Sequence, residues 1–249
     1  YDLVSDSARS MHRNPTPIGI IAGLLLTASS PFGAAATSFA TPSVARSSGE
    51  SRGAADGTAA PRLLCLGTSL TAGFGLDPDQ AWPALLQEKV DQAGLRYRVV
   101  NAGVSGETSA GARRRIDWLL REPAAVLVVE TGANDGLRGQ EPEATRANLR
   151  AILDRARRQS PPPRLVVAGM QAPPNLGASY TQRFRAVFPE VAKEYGAAYV
   201  PFLLDGVAGV ARLNQADGIH PTPEGQRLVA ENVWRVLKPL LVSPGAAGK

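Results

Sequence analysis

Hydrophobic and polar positions change their period repeatedly along this chain. Short apolar runs without polar alternation lie at residues 63–66, 97–101, 125–130, 165–169 and 198–203. Between and after them, residues 82–92, 109–121, 142–159, 180–195 and 223–240 repeat their apolar positions at helical spacing. Runs of Val, Leu and Ile with no polar alternate suit strands covered on both faces, hence a parallel sheet. Strand and helix alternating in this order predict one three-layer α/β/α domain. Pro83 and Pro223 fall in the first turn of two predicted helices, where a missing N–H leaves no bond unmade.

The first part of the chain follows a different rule. Met11, His12 and Arg13 make a short basic start, and residues 18–28 form an apolar core. Small residues follow, with cleavage positions after Ala36, Ala40 or Ala45. The core is shorter than the roughly 20 residues that span a bilayer. It is therefore expected to be an export signal and not a stable membrane anchor, placing the protein in the periplasm or outside the cell. The competing reading is a disordered cytoplasmic extension. Residues 1–10 precede Met11 and read as upstream sequence. The expected organisation is an upstream and signal segment over 1–45, a disordered linker over 46–61, one folded domain over 62–242 and a disordered tail over 243–249.

Composition narrows the function classes. At 44% hydrophobic and 20% charged, the chain is ordinary globular material. Its net charge of +5 is modest, and the densest basic run is Arg113-Arg114-Arg115. No aromatic residues interleave that run, so it reads as a solvated helix face and not as a nucleic-acid contact. The single cysteine, Cys65, leaves no intramolecular disulfide or multi-cysteine metal site, and within an apolar run it reads as a small buried hydrophobe.

In parallel α/β sheets the reactive groups gather beyond the carboxyl ends of the strands. The first strand exits into the glycine-rich stretch Gly67-Thr68-Ser69-Leu70-Thr71-Ala72-Gly73-Phe74-Gly75. Ser69 is the candidate nucleophile there, and a serine nucleophile needs a base. The chain has two histidines, and His12 lies in the expected leader, so His220 is the base available. Asp217 precedes it by three residues, with Gly218 between them to let the chain turn. A carboxylate so placed can orient the imidazole; Asp205, after the fifth strand, is its rival. Acyl transfer also needs donors for a developing oxyanion. Asn134 offers its side-chain amide, Gly106 its N–H, and Ser69 its own N–H.

Two other chemistries compete for these residues. A phosphate-binding reading of the glycine-rich stretch lacks the Lys that a P-loop requires, and Gly73-Phe74-Gly75 is followed two residues later by Asp77-Pro78, not Gly. Paired-carboxylate glycosidase chemistry would have to use Glu130 and Asp135, yet Glu130 ends an apolar strand and reads more simply as a hydrogen-bonded structural acid.

Four stretches in order, Gly67-Thr68-Ser69-Leu70, Gly106 within Asn-Ala-Gly-Val-Ser-Gly-Glu-Thr, Gly132-Ala133-Asn134-Asp135, and Asp217-Gly-Ile-His220, resemble the blocks of the SGNH (GDSL) hydrolases. The resemblance covers residues 62–240. It leans toward the bacterial periplasmic thioesterase/arylesterase/lysophospholipase branch, through Ala81-Trp82-Pro83-Ala84-Leu85-Leu86 and Asn134-Asp135-Gly136-Leu137-Arg138-Gly139. It implies a flavodoxin-like five-stranded parallel sheet, Ser69 as nucleophile, Gly106 and Asn134 in the oxyanion hole, and the pair Asp217 and His220, with no metal and no organic cofactor. The implied partner is a small-molecule acyl ester or thioester. The family usually has Asp where this chain has Thr68. Thr68 is expected to support the loop less strongly, altering rate more than reaction type, and it is the one feature favouring an idle lipid- or glycan-binding module. Loops 137–141 and 171–180 are expected to wall the acyl site, with Leu137, Met170, Pro173 and Leu176 facing the acyl chain.

Overall fold

The computed structural model describes residues 59–242. The expected leader, the linker up to residue 58 and the tail from 243 lie outside the described residues. The first strand, β1 (Arg62–Gly67), is buried along its whole length, as an uninterrupted apolar run requires. It breaks into a four-residue helix, α1 (Ser69–Ala72), and then into α2 (Trp82–Gln92). There follow β2 (Arg98–Gly103), α3 (Ser109–Leu119), β3 (Val126–Val129), the short α4 (Ala133–Leu137) and α5 (Pro142–Arg157). The described residues close with β4 (Arg164–Ala168), α6 (Ala178–Glu194), β5 (Ala198–Val200) and α7 (Pro223–Val242).

All strands are parallel, in the order β2-β1-β3-β4-β5. That is the flavodoxin-like order, whose switch point lies between β1 and β3. Leu66 pairs with Ala102 on one side and Val129 on the other, so the exits of β1, β2 and β3 reach one level of the sheet edge. Helices α2 and α7 pack together on one face; α3, α5 and α6 form the opposite layer. The two layers enclose fully buried Leu63, Leu64, Leu66, Leu127 and Val128 from the sheet, with Trp82, Leu149, Ile152, Phe184 and Phe188 from the helices. Each such side chain contributes about 1.5–3 kcal/mol by leaving water. Gln226 joins the nucleophile end to this frame. Buried in α7, it accepts the Trp82 N–H at 2.9 Å and donates to the Leu70 carbonyl at 3.3 Å.

Element ends differ from the sequence expectation where local chemistry intervenes. β5 stops at Val200, short of residue 203, because Pro201 has no N–H for the ladder. β2 runs two residues past the expected 101, its exit held where the Asn101 side chain accepts the Gly103 N–H at 2.9 Å. α1 and α4 are too short to show a helical period. Among the described residues, no helix is long and apolar enough to cross a membrane.

Candidate active site

Ser69 is the first residue of α1, and Thr68 caps that helix in extended geometry. The turn after α1 folds back, with the N–H groups of Gly73 and Phe74 both donating to the Ser69 carbonyl at 3.1 and 3.0 Å. Thr68 stands on Glu130, the residue following β3. Its N–H donates to Glu130 Oε2 at 2.8 Å, and its hydroxyl lies 3.0 and 3.1 Å from the two carboxyl oxygens. Thr71 Oγ1 adds a bond to Oε2 at 2.7 Å. Thr68 Oγ1 also accepts the Leu70 N–H at 3.4 Å. Thr68 thus ties the loop to a buried acid at the end of the neighbouring strand. Burial raises the Glu130 carboxyl above its usual range, partly offset by these bonds.

His220 reaches Ser69 from a hairpin closed by the Asn214–Pro221 bridge and by the Gln215 N–H bond to the His220 carbonyl at 2.7 Å. Its Nε2 lies 2.9 Å from Ser69 Oγ, and its Nδ1 lies 2.6 Å from Asp217 Oδ2. The other oxygen, Asp217 Oδ1, accepts the N–H groups of Ile219 and His220 at 2.9 and 3.0 Å. The His220 backbone bond, then the imidazole bond, then the Ile219 bond pull the Asp217 carboxyl down to about 2. Asp217 is therefore a fixed charge, aimed so that Nδ1 carries the proton and Nε2 faces the hydroxyl. An imidazole so held can take the proton of Ser69 Oγ. Asp205 does not reach His220; it lines a separate cleft with Arg185 and Arg235.

Gly106 and Asn134 meet Ser69 around one cavity of about 280 Å³, walled also by Phe74, Leu137 and Ile219. Asn134 is the second residue of α4, and its Nδ2 donates to the Glu107 carbonyl at 2.9 Å, leaving its second hydrogen for another acceptor. Gly106 has φ +77°, so an L side chain would be strained there, and a Cβ would meet no atom within 4 Å. Its carbonyl accepts from Arg138 Nη2 at 3.1 Å. Among the described residues, neither the Ser69 nor the Gly106 N–H has a protein acceptor. A second cavity of about 330 Å³ shares Leu70, Ala133, Leu137 and Ile219 with the first and extends past Met170, Pro173, Phe202 and Leu204. Leu137, Met170 and Pro173 thus line the apolar space, whereas Leu176 lines neither cavity and sits beside Gly139.

Glu130 and Asp135 are fully buried and spent on protein partners, which leaves the paired-carboxylate reading without an accessible acid. Asp135 accepts the Ser109 N–H at 2.8 Å and the Ser109 hydroxyl at 2.5 Å, pinning α4 to the start of α3. Arg115 also departs from expectation. Arg113 and Arg114 are exposed, but Arg115 turns inward onto Glu107. Glu107 lies just before the Thr108 cap of α3, and Gly111 and Arg115, four residues apart on that helix, face it.

A hydroxyl, an imidazole and a charged carboxylate in line at the switch point of this sheet define a serine hydrolase. The family described as GDSL-like Lipase/Acylhydrolase matches residues 65–228, and the chain belongs to it. It is 46% identical over 184 residues to Esterase TesA of Pseudomonas aeruginosa, covering 74% of this chain and 90% of that protein. It is 39% identical over 185 residues to Thioesterase 1/protease 1/lysophospholipase L1 of Escherichia coli K12, covering 74% and 86%. The structure also resembles the crystal structure of the psychrotrophic esterase EstA of Pseudoalteromonas sp. inhibited by monoethylphosphonate. There the TM-score is 0.68 at 32% identity, covering 72% of this chain and 98% of that one.

Proposed function

We propose that the protein hydrolyses carboxylic acyl esters or thioesters through an acyl-enzyme on Ser69. The observation that carries this reading is the alignment of Ser69 Oγ, His220 and Asp217, with contacts of 2.9 and 2.6 Å. His220 Nε2 takes the Ser69 proton as Oγ attacks the substrate carbonyl. The oxyanion accepts from the Ser69 and Gly106 N–H groups and from the second hydrogen of Asn134 Nδ2. His220 returns the proton to the departing alkoxide or thiolate. A water, deprotonated by the same nitrogen, then attacks the acyl carbon and releases the acid and Ser69 Oγ.

The apolar lining of the two joined cavities supports an acyl chain leaving Ser69 over Leu137 and Ile219 toward Met170 and Pro173. The names of the relatives, an esterase and a thioesterase/lysophospholipase, agree with that chemistry. The leader pattern over 1–45 supports export, with residues 62–242 as the catalytic domain. Labelling with a fluorophosphonate probe tests the mechanism. The parent is expected to label at Ser69, and Ser69→Ala to lose both label and esterase activity; full activity in Ser69→Ala would overturn the reading.

A further inference from the structure

The three proposed oxyanion donors come from three different strand exits, and strand pairing alone does not set the spacing between loops beyond the sheet. Two side chains outside the catalytic trio bridge those loops. Arg115 Nε lies 2.8 and 2.9 Å from the two Glu107 carboxylate oxygens, and its Nη2 donates to Oε2 at 2.6 Å. The same Nη2 donates to the Gly67 carbonyl at 3.1 Å, two residues before Ser69. Glu107 follows Gly106 directly, and its carbonyl accepts from Asn134 Nδ2. One ion pair therefore reaches the β1 exit through Gly67, the β2 exit through Glu107 and the β3 exit through Asn134.

The chain makes room for this pair. A Cβ at Gly111 would stand 2.5 Å from Glu107 Cγ and 3.2 Å from Cδ, so only glycine lets the Glu107 side chain lie along α3 toward Arg115. The two side chains are only 20% and 10% exposed, a setting in which a two-pronged charge-assisted contact is stiff and directional. Arg138, holding the Gly106 carbonyl, completes the enclosure from the solvent side.

We propose that Glu107 and Arg115 are positioning residues that set the geometry of the oxyanion hole. The inference rests on the serine-hydrolase reading above. Neither residue lines the substrate cavities, so both act through Gly67, Gly106 and Asn134. Losing the pair lets the donors drift relative to one another, and a displacement of about 1 Å in such groups costs about 10²-fold in rate.

The test is steady-state kinetics with p-nitrophenyl butyrate across pH for Arg115→Met, Arg115→Lys, Glu107→Gln and Gly111→Ala, with melting temperatures alongside. Arg115→Met is expected to lower kcat about 10- to 100-fold, up to the cost of a misplacement of about 1 Å, with KM within about twofold. The acid limb of kcat/KM should stay at the parental pH, because the His220–Asp217 pair is untouched. Arg115→Lys should recover only part of the loss, since an ammonium keeps the charge but not the fork. Gly111→Ala keeps both charges and should still lower kcat by displacing Glu107. With Glu107→Gln, it gives the same reading where Arg115→Met does not fold. A kcat within twofold of the parent in the folded variants, or a moved acid limb, overturns the proposal. So does a fall in melting temperature with unchanged kcat. If the parent itself takes no fluorophosphonate label, the serine-hydrolase reading fails; if it labels and Arg115→Met turns over normally, only the positioning role falls.

Discussion

Gln215 Nε2 donates to the Phe74 carbonyl at 2.7 Å, a bond between the hairpin that carries His220 and the turn that follows Ser69. The same nitrogen donates to the Pro221 carbonyl at 3.0 Å, so the amide closes its own hairpin while it docks it. The Phe74 ring lies 4.6 Å from the His220 ring, against the same junction. Gln215→Ala removes both bonds without touching a reacting atom. It is expected to lower kcat about tenfold through looser Ser69–His220 geometry, with little change in KM. Stopped assays with a short-chain ester would check this, and activity within twofold of the parent would show that the hairpin docks by other contacts.

Asp217 has a charge that the fold protects. Its carboxyl is lowered to about 2, first by the His220 N–H, then by the imidazole and the Ile219 N–H. A depressed folded value stabilises the protein above the unfolded pKa, and that contribution is lost as pH falls from about 3.8 through about 2. Asp217 should therefore stay ionised wherever the enzyme works. Asp217→Asn keeps the shape but can donate to Nδ1 and favour the wrong tautomer, at an expected cost of about 10⁴ in kcat. A variant that retained a tenth of parental kcat would remove Asp217 from the mechanism.

Glu130 behaves in the opposite sense. Burial raises its carboxyl above the ordinary value of 4.5, outweighing the Thr68 and Thr71 bonds. A raised folded value gives a contribution that is complete below about pH 4.5 and lost as pH rises through the folded pKa. Glu130→Gln has no proton to lose, so its melting temperature should improve relative to the parent as pH rises; parallel melting profiles from acid to alkaline pH would refute the idea. Thr68→Asp puts a second carboxyl against the first. It should lose stability with rising pH and gain little turnover, because the Thr68 loop is already held from below. A large gain in turnover would show instead that the loop is compromised.

The sheet and the residues that meet at its edge were readable because their signals are local. Uninterrupted apolar runs mark buried parallel strands, and Ser69, Asn134 and His220 each sit beside such a run or in a short glycine turn. The supporting groups were not readable, for a physical reason. Gln215 and Gln226 bond partners 141 and 144 residues away, and nothing near a lone amide announces such a partner. Arg115 looked like its neighbours Arg113 and Arg114, because only the azimuth of α3 against Glu107 separates an inward arginine from two solvated ones. Glu130 was read correctly as a structural acid, yet its role under Thr68 depends on β1 and β3 being neighbours, which spacing alone does not state.

Leu137 and Ile219 link the two cavities, and both are partly exposed, at 45% and 42%. Truncating either should leave stability within about 0.5 kcal/mol, as at other exposed sites. An acetyl group on Ser69 is too short to reach the saddle they form, whereas an octanoyl chain would cross it and lose apolar contact. At about 0.8 kcal/mol per buried methylene, Leu→Ala removes up to roughly 2 kcal/mol, or about 10- to 30-fold in kcat/KM for the long chain. Leu137→Ala and Ile219→Ala should therefore flatten the chain-length profile of p-nitrophenyl esters by weakening its long end alone. An equal loss on acetyl and octanoyl esters would mean that these residues shape the reacting centre and not the path of the chain.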